Sequence, residues 1–146
     1  MSAIHSLTWD EMSSRTAYAV MRLRVDVFVV EQTCPYPELD GRDLEPDALH
    51  LVATEGDDVV GTLRVLAEPD GGSRVGRVCV ARDARGSGLA GRLMEAAHEL
   101  AGAAPTVLDA QAHLQHWYAR FGYSAVSEEF LEDGIPHVTM RRAGSL

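Results

Sequence analysis

The chain has 146 residues, 46% of them hydrophobic and 24% charged, and its formal net charge is −9. This length suits one domain, residues 1–146, with its own core, and the acidic balance argues against nucleic acid as a partner. No stretch approaches the roughly 20 apolar residues that span a bilayer, and the first residues lack the basic and apolar pattern of a signal segment. With only two cysteines a disulfide framework is not expected, so we expect a cytoplasmic protein that does not enter a membrane.

The first part of the chain predicts one strand, one helix and two further strands. Residues 4–9 alternate loosely as a strand does, and apolar residues from Ala17 to Phe28 recur at helical spacing. Two segments, 50–54 and 59–67, have strand composition and are joined by a short turn. These elements predict antiparallel strands that lead into the centre of the chain.

Residues 31–47, which we call the acidic loop, interrupt this pattern with six carboxylates and three prolines. Such a composition predicts a long irregular loop with at most one helical turn. Two interpretations are open: a solvated cover, or a substrate-facing wall whose carboxylates attract cationic amines. The second interpretation predicts that neutralising Glu38, Asp40 and Asp43 raises KM for such amines.

The segment 74–93 predicts a strand, a glycine-rich turn and a helix. Val78 and Val80 alternate with their neighbours as in a strand, and residues 85–90 read Arg-Gly-Ser-Gly-Leu-Ala. Glycines let backbone N–H groups close round a ligand, and the helix that begins near Gly88 adds unpaired donors and the positive end of its dipole. The turn is therefore an anion site, most naturally for a phosphate.

Three kinds of phosphate-binding turn compete for this segment. A P-loop needs a lysine, and the chain contains none. A dinucleotide fold is favoured by the Gly-x-Gly-x-x-Gly spacing of residues 86–91 and by Asp109, but such a fold usually begins with this turn, and here the turn comes late. The third kind is Arg/Gln-x-x-Gly-x-Gly/Ala, which Arg85, Gly88 and Ala90 satisfy directly after a Val-x-Val strand.

The last part of the chain predicts two helices and three strands. An apolar series extends the helix after the turn to about Gly102, and residues 106–110 are short and apolar, as in a buried strand. Aromatic and apolar residues at helical spacing predict a second helix over 114–121. Strands over 123–128 and 136–142 are predicted to follow, joined by a turn.

Two motifs resemble those of a known family. Residues 85–90 resemble the pyrophosphate-binding turn of the GNAT N-acetyltransferases, and residues 117–123 resemble that family's aromatic-Tyr-x-x-x-Gly-Phe/Tyr signature. Segments 23–43 and 110–115 look like the ElaA-like branch of the superfamily. The resemblance implies an α/β (α+β) architecture, the GNAT acyl-CoA N-acyltransferase fold, in which a mixed, mostly antiparallel and splayed sheet is flanked by helices.

The resemblance also implies that acetyl-CoA (coenzyme A) is the co-substrate and that backbone groups bind it. The residues at matching positions are Val78, Cys79, Val80, Arg85, Gly86, Ser87, Gly88, Leu89, Ala90, Gly91 and Gln111. Tyr118 matches the position from which the family commonly donates a proton to the leaving thiolate, although its helical spacing fits a packed aromatic as well. No metal is expected, because Cys34, His50 and the nearby aspartates lack a recognisable ligand spacing.

The acceptor side depends on fewer observations. An alkylamine must lose a proton before it attacks, and the candidates for the base are Glu31, His50 and a chain of waters. Glu31, Gln32 and His50 are the residues that we expect to contact a small-molecule or peptide amine. Cys34 as an acyl-carrying nucleophile lacks an evident neighbour that lowers its pKa. The expected activity is N-acetyl transfer by direct attack on the thioester, with a homodimer as one expected assembly; the alternative is a CoA-binding module without catalysis.

Overall fold

The computed structural model describes residues 2–144 and builds them into an α+β fold around one mixed sheet. Its strands are β1 (Ala3–Leu7), β2 (Leu49–Glu55), β3 (Asp58–Ala67), β4 (Ser73–Val80), β5 (Thr106–Gln111), β6 (Ser124–Ala125), β7 (Phe130–Glu132) and β8 (Ile135–Arg142). The α-helices are α1 (Ser14–Val25), α2 (Leu89–Ala101) and α3 (Gln115–Ala119). Across the sheet the strand order is β1, β2, β3, β4, β5, β8 and β6, and β7 also pairs with β8.

The sheet opens between β4 and β5, which run parallel, whereas its other strand pairs within residues 2–144 are antiparallel. β4 and β5 pair only at Ser73 with Thr106 and at Arg74 with Val107. Beyond Arg74 the β4 edge that faces β5 has no strand partner among the described residues. The expected mixed, mostly antiparallel and splayed sheet is confirmed.

α2 covers the sheet with the apolar stripe that its sequence predicts. Leu89, Leu93 and Ala97 recur at every fourth position and are buried, with Met94 beside them. They belong to one core cluster with side chains from β2, β3, β4, β5 and β8, on both sides of the opening. At roughly 2 kcal/mol for each fully buried leucine, this packing fixes the helix and the turn that precedes it.

α1 begins at a side-chain cap and ends without a stop signal. The Ser13 hydroxyl accepts a hydrogen bond from the Thr16 N–H at 3.1 Å, and Val20 is fully buried beneath the helix. No glycine ends the helix; the chain instead widens into a π-helical turn, Asp26–Glu31, through a run of valines. This wider turn brings Gln32 to the opening of the sheet.

The strand predicted over 123–128 ends after two residues, and an unpredicted strand, β7, follows it. The pairing stops because the Ser127 hydroxyl accepts the hydrogen bond from the Thr139 N–H, at 2.9 Å. β7 then forms a tight hairpin with β8 through Asp133 and Gly134, whose φ angles of 50° and 78° suit a type I′ turn. The predicted turn thus joins β7, and not β6, to β8.

The helix predicted over 114–121 is also shorter. A 3₁₀ turn at Ala112–Leu114 precedes α3, and the chain leaves the helix before Gly122, whose φ is 95°. Within residues 2–144 none of the helices combines the length and the apolar character needed to cross a membrane.

Candidate active site

A cleft of about 590 Å³ lies where β4 and β5 part. Along one side it is lined by β4 residues 74–78, and along the other by Leu108, Asp109 and Gln111 of β5. Part of the acidic loop and the β7–β8 hairpin supply the remaining side chains. The cleft therefore combines an unpaired strand edge with a set of charged and polar side chains.

A β-bulge at Arg77 interrupts β4 along the wall of the cleft. The β3–β4 register shifts between Thr62 and Arg64, where two β4 residues face one β3 residue. Arg77 has a φ of 52°, a left-handed conformation that costs about 1 kcal/mol or more in a residue other than glycine. Its guanidinium donates to the Glu38 carbonyl at 3.1 Å and to Asp40 Oδ2 at 3.3 Å, which holds the strained backbone in place. The alternation along β4 gave no sign of this bulge.

The β4 residues predicted to bind the cofactor can offer it backbone groups more readily than side chains. Val78 lines the cleft, whereas the side chains of Cys79 and Val80 are buried in the core clusters. Burial raises the pKa of the Cys79 thiol to about 12, so this thiol is neutral at physiological pH.

The glycine-rich turn presents free N–H groups at the start of α2. Gly86 and Gly88 have φ angles of 80° and 81°, which glycine adopts without strain. Gly88 is the N-cap, and the N–H groups of Gly88, Leu89 and Ala90 meet no acceptor within residues 2–144. These donors, together with the helix dipole, suit an anion such as a phosphate.

Two other predicted residues of the turn support its shape. The Ser87 hydroxyl donates to the Ala84 carbonyl at 2.6 Å, which tightens the turn. Gly91 lies in the first turn of α2, where a Cβ would sit 3.5 Å from the Phe121 ring. An added Cβ at Gly91 would therefore make an ordinary van der Waals contact with Phe121, which follows α3.

Glu31 and Arg85 are paired beside the turn. Arg85 Nη2 lies 2.8 Å from Glu31 Oε2, and Arg85 Nε donates to the Val80 carbonyl at 3.0 Å. The hydrogen bond from Arg85 lowers the pKa of Glu31, and the charge of Arg82 adds to the effect. A carboxylate with a lowered pKa is a poor base, and Glu31 does not line the cleft. The geometry thus gives no support to Glu31 as the general base or as a substrate contact.

His50 lies in a buried ion network and does not line the cleft. Its Nε2 is 3.0 Å from Asp43 Oδ1, its Nδ1 is buried without a partner, and its ring meets the Trp9 ring edge-on. A histidine enclosed in this way has no route to an amine in the cleft, so the geometry does not support its predicted role in substrate binding or as the base.

Arginines from three distant elements neutralise the acidic loop. The ion pairs are Arg24 with Glu38 and Asp43, Arg64 with Asp40 and Asp43, and Arg77 with Glu38 and Asp40. Glu38 and Asp43 are 3% and 5% exposed, so the interpretation as a solvated or cation-attracting loop is wrong for these carboxylates. Because they pair with buried guanidiniums, neutralising them would weaken the fold and would not selectively raise KM.

Gln32 and Gln111 meet at the cleft. Gln111 Nε2 donates to Gln32 Oε1 at 3.2 Å, and both side chains line the cleft. Gln32 follows the π-helical turn and Gln111 ends β5, so the contact joins the end of that turn to the end of β5. Their roles in binding substrate and cofactor remain predictions.

Tyr118 lines the same cleft from α3. Its ring packs edge-on against Trp117, with centroids 5.0 Å apart, and against Tyr123. Burial raises the pKa of Tyr118 to about 12, and its hydroxyl makes no hydrogen bond to another group within residues 2–144. The hydroxyl is therefore protonated at neutral pH and free to donate to a ligand.

The β7–β8 hairpin, which the sequence did not predict, forms a further wall of the cleft. Glu132, Asp133 and His137 line it, and Cys34 Sγ of the acidic loop lies 3.7 Å from the Asp133 carbonyl oxygen. The Asp-Gly dipeptide at 133–134 is a strong signal for a two-residue hairpin, which requires a strand directly before it. That signal therefore predicts a strand directly before the turn, where the structure has β7.

The comparisons with known proteins agree with this geometry. Residues 17–143 match the family model described as an acetyltransferase (GNAT) domain. The crystal structure of an acyl-CoA N-acyltransferase from Pseudomonas aeruginosa superposes with a TM-score of 0.92 at 43% identity, over 98% of this chain and 100% of that one. The chain belongs to the GNAT acetyltransferase family and is an acetyltransferase with the acyl-CoA N-acyltransferase fold.

Within this family the expected kinship to the ElaA-like branch is confirmed. The chain is 41% identical to Protein ElaA of Escherichia coli over 91% of each sequence. The crystal structure of Escherichia coli ElaA superposes with a TM-score of 0.90 at 38% identity, over 97% of this chain and 99% of that one. A UPF0039 protein of Mycobacterium tuberculosis is 49% identical, over 98% of this chain and 94% of that protein.

Proposed function

We propose that the protein uses acetyl-CoA to acetylate a primary amine, by direct attack of the amine on the thioester. The observation that supports this best is the unpaired β4 edge, followed closely along the chain by the free N–H groups of the turn at 86–90. An extended amide-containing arm can hydrogen-bond along such an edge, and a pyrophosphate suits the donors of the turn. The cleft beside β4 leaves room for the acceptor.

The residues that would hold acetyl-CoA are those of β4, the turn and the end of β5. Backbone groups of residues 78–80 would bind the pantetheine arm, the turn at 85–91 would bind the pyrophosphate, and Gln111 would contact the arm from β5. The fit rests on the free donors and on the two glycines with positive φ. When bound, acetyl-CoA supplies the activated acetyl group.

Tyr118 would protonate the sulfur of the departing CoA. Its hydroxyl lies in the cleft and has no partner among the described residues, so it is available to a ligand. A thiol has an unperturbed pKa near 8.5, so its thiolate leaves with only modest help. Loss of the donor should therefore slow turnover and not abolish it.

The acceptor is a small-molecule or peptide amine, and residues 1–146 act as one cytoplasmic domain. Four arginines and four carboxylates line the cleft, so its formal charge does not by itself select a cation. The carboxylates are Asp40, Asp109, Glu132 and Asp133. Recognition of an ammonium group must therefore come from a local arrangement of acceptors.

The experiment is a thiol-release assay with acetyl-CoA and a panel of primary amines. Tyr118→Phe keeps the ring and removes the proton donor, and we expect kcat to fall about 100-fold while the CoA affinity measured by calorimetry is unchanged. Tyr18→Phe, a tyrosine 67% exposed on α1, is the matched control and should match the wild type. If the wild type binds CoA but no amine stimulates thiol release, the proposed reaction is wrong. If Tyr118→Phe keeps the wild-type kcat, Tyr118 is only a packed aromatic.

A further inference from the structure

His137 of β8 is held in one orientation and one protonation pattern. Its Nδ1 lies 2.7 Å from the Ile135 carbonyl oxygen, and its ring stacks on Phe130 with centroids 6.1 Å apart and an interplanar angle of 26°. A carbonyl oxygen can only accept a hydrogen bond, so Nδ1 must carry the proton. In the neutral ring the lone pair is then on Nε2.

The surroundings of His137 differ from those of His50. The free ring nitrogen of His50 is buried without access to solvent, whereas the His137 side chain lines the cleft and remains 11% exposed. His137 is also the direct neighbour of Gln111, since the two residues pair between the adjacent strands β8 and β5. Of these two histidines, only His137 can meet a molecule that enters the cleft.

Glu132 faces the same nitrogen. Glu132 Oε2 lies 3.5 Å from His137 Nε2, and this carboxylate is 52% exposed. When Nδ1 holds the only ring proton, both facing atoms are acceptors and no proton lies between them. A primary ammonium group carries three N–H donors, so it can donate to the carboxylate and to Nε2 together.

We propose that His137 is the general base for the acceptor amine and that Glu132 binds the ammonium form beside it. This inference rests on the proposed function and adds the missing recognition of the acceptor. It defines the acceptor as a primary alkylamine that arrives protonated, a class that needs both a carboxylate to bind it and a base to deprotonate it.

Two protons leave the acceptor nitrogen during the proposed reaction. His137 Nε2 takes one proton from the ammonium and releases it to solvent, which leaves a neutral amine with its lone pair free. The amine nitrogen then bonds to the thioester carbonyl carbon, and the carbon–sulfur bond breaks. That nitrogen gives its second proton to water, Tyr118 gives its proton to the sulfur, and solvent returns a proton to Tyr118. The net change is ammonium plus thioester to amide, thiol and one proton.

The test compares two amines of similar shape. One is a strongly basic alkylamine, and the other is its fluorinated analogue, which is already neutral at neutral pH. His137→Asn is the chosen variant, because its side-chain N–H₂ can still donate to the Ile135 carbonyl while the base is lost. We expect kcat/KM for the alkylamine to fall about 100-fold, and kcat/KM for the fluorinated amine to change little.

Further variants separate the roles. Glu132→Gln should raise KM for the alkylamine more than it lowers kcat, and His116→Gln, an exposed histidine of α3 outside the cleft lining, should match the wild type. Added imidazole should restore the alkylamine reaction of His137→Ala. Because this comparison uses one variant with and without imidazole, it remains valid if that variant is less stable than the wild type. CoA affinity should stay unchanged in all of them.

The inference is overturned if His137→Asn keeps the wild-type rate with the alkylamine. It is also overturned if both amines lose activity equally, or if imidazole rescues nothing, because His137 would then be structural. A wild type that releases no thiol with any amine would instead overturn the proposed function.

Discussion

The glycine-rich turn and the acidic loop both stand out in the sequence and both have the predicted backbone, yet Glu38 and Asp43 of the loop are not the exposed carboxylates that its composition suggests. The turn presents backbone N–H groups, so its shape depends on two residues of the turn itself, Gly86 and Gly88. The acidic loop works through charge, and its partners Arg24, Arg64 and Arg77 lie up to 39 residues away along the chain. Local sequence is therefore a better guide to a backbone site than to the role of a charged side chain.

The largest expected effect is on the acidic loop. Arg24→Met removes the guanidinium 2.7 Å from both Glu38 and Asp43 and leaves two buried carboxylates short of a partner. We expect the free energy of unfolding, measured with urea, to fall by about 3–5 kcal/mol. Arg42→Met breaks the exposed pair with Glu45 and should cost less than about 1 kcal/mol. Equal losses in the two variants would show that the loop is a solvated cover after all.

The turn should respond more in binding than in stability. Gly88→Val places a branched residue at a φ of 81°, where the N–H groups would approach a phosphate in the proposed complex. We expect CoA to bind about 100-fold more weakly by calorimetry, equivalent to about 2.8 kcal/mol. Gly71→Val is the matched control, since Gly71 has a φ of 88° and open space around it but lies outside the turn. The same loss of affinity in the control would mean that backbone strain, and not the site, is being measured.

Acid should affect the stability of α2 and of the acidic loop in different pH ranges. Burial lowers the pKa of His98, in the last turn of α2, from 6.5 to about 4, so the unfolded chain takes up this proton first and stability falls as the pH drops from about 6.5 to 4. Burial opposes ionisation of Asp43, but hydrogen bonds from His50 and Arg24 hold its pKa well below 3.8, so its contribution is lost only below about pH 4.

We expect wild-type stability to fall by about 2 kcal/mol between pH 7.5 and 5 because of His98. Urea unfolding of His98→Gln at both pH values should show a much smaller difference, and the exposed His116→Gln should behave like the wild type. A His98→Gln variant that keeps the full acid sensitivity would assign the effect to other groups.

Most of the fold and half of the site were accessible from the sequence. The strand–turn–helix unit at 74–93 follows from alternation, from positive-φ glycines and from an apolar stripe, which are all local properties. The β4 bulge depends on Arg77 meeting Glu38 and Asp40, and the burial of His50 depends on Asp43. Such contacts between distant residues leave no periodic pattern, so no local rule could predict them.

The β7–β8 hairpin depends both on a local signal and on a contact between distant residues. Its Asp-Gly turn is a local signal, but Ser127 breaks the preceding strand by a side-chain hydrogen bond to Thr139, and strand alternation does not record such a bond. His137 lies within the predicted strand 136–142, but its position beside Glu132 at the cleft depends on the hairpin with β7, which was not predicted.

Because β4 and β5 pair over so short a length, a donor molecule bound between them would stabilise the protein. Two paired residues, Ser73 and Arg74 with their partners, make the whole backbone ladder between the two halves of the sheet within residues 2–144. A donor molecule bound along the open edge would complete that ladder, so it would be part of the architecture as well as a reactant. At 100 times its dissociation constant it would add about 2.7 kcal/mol to the stability of the protein. Resistance to proteolysis in the cell would then follow the supply of acyl-CoA, and the opening proposed as the binding site would make the protein's lifetime depend on that supply.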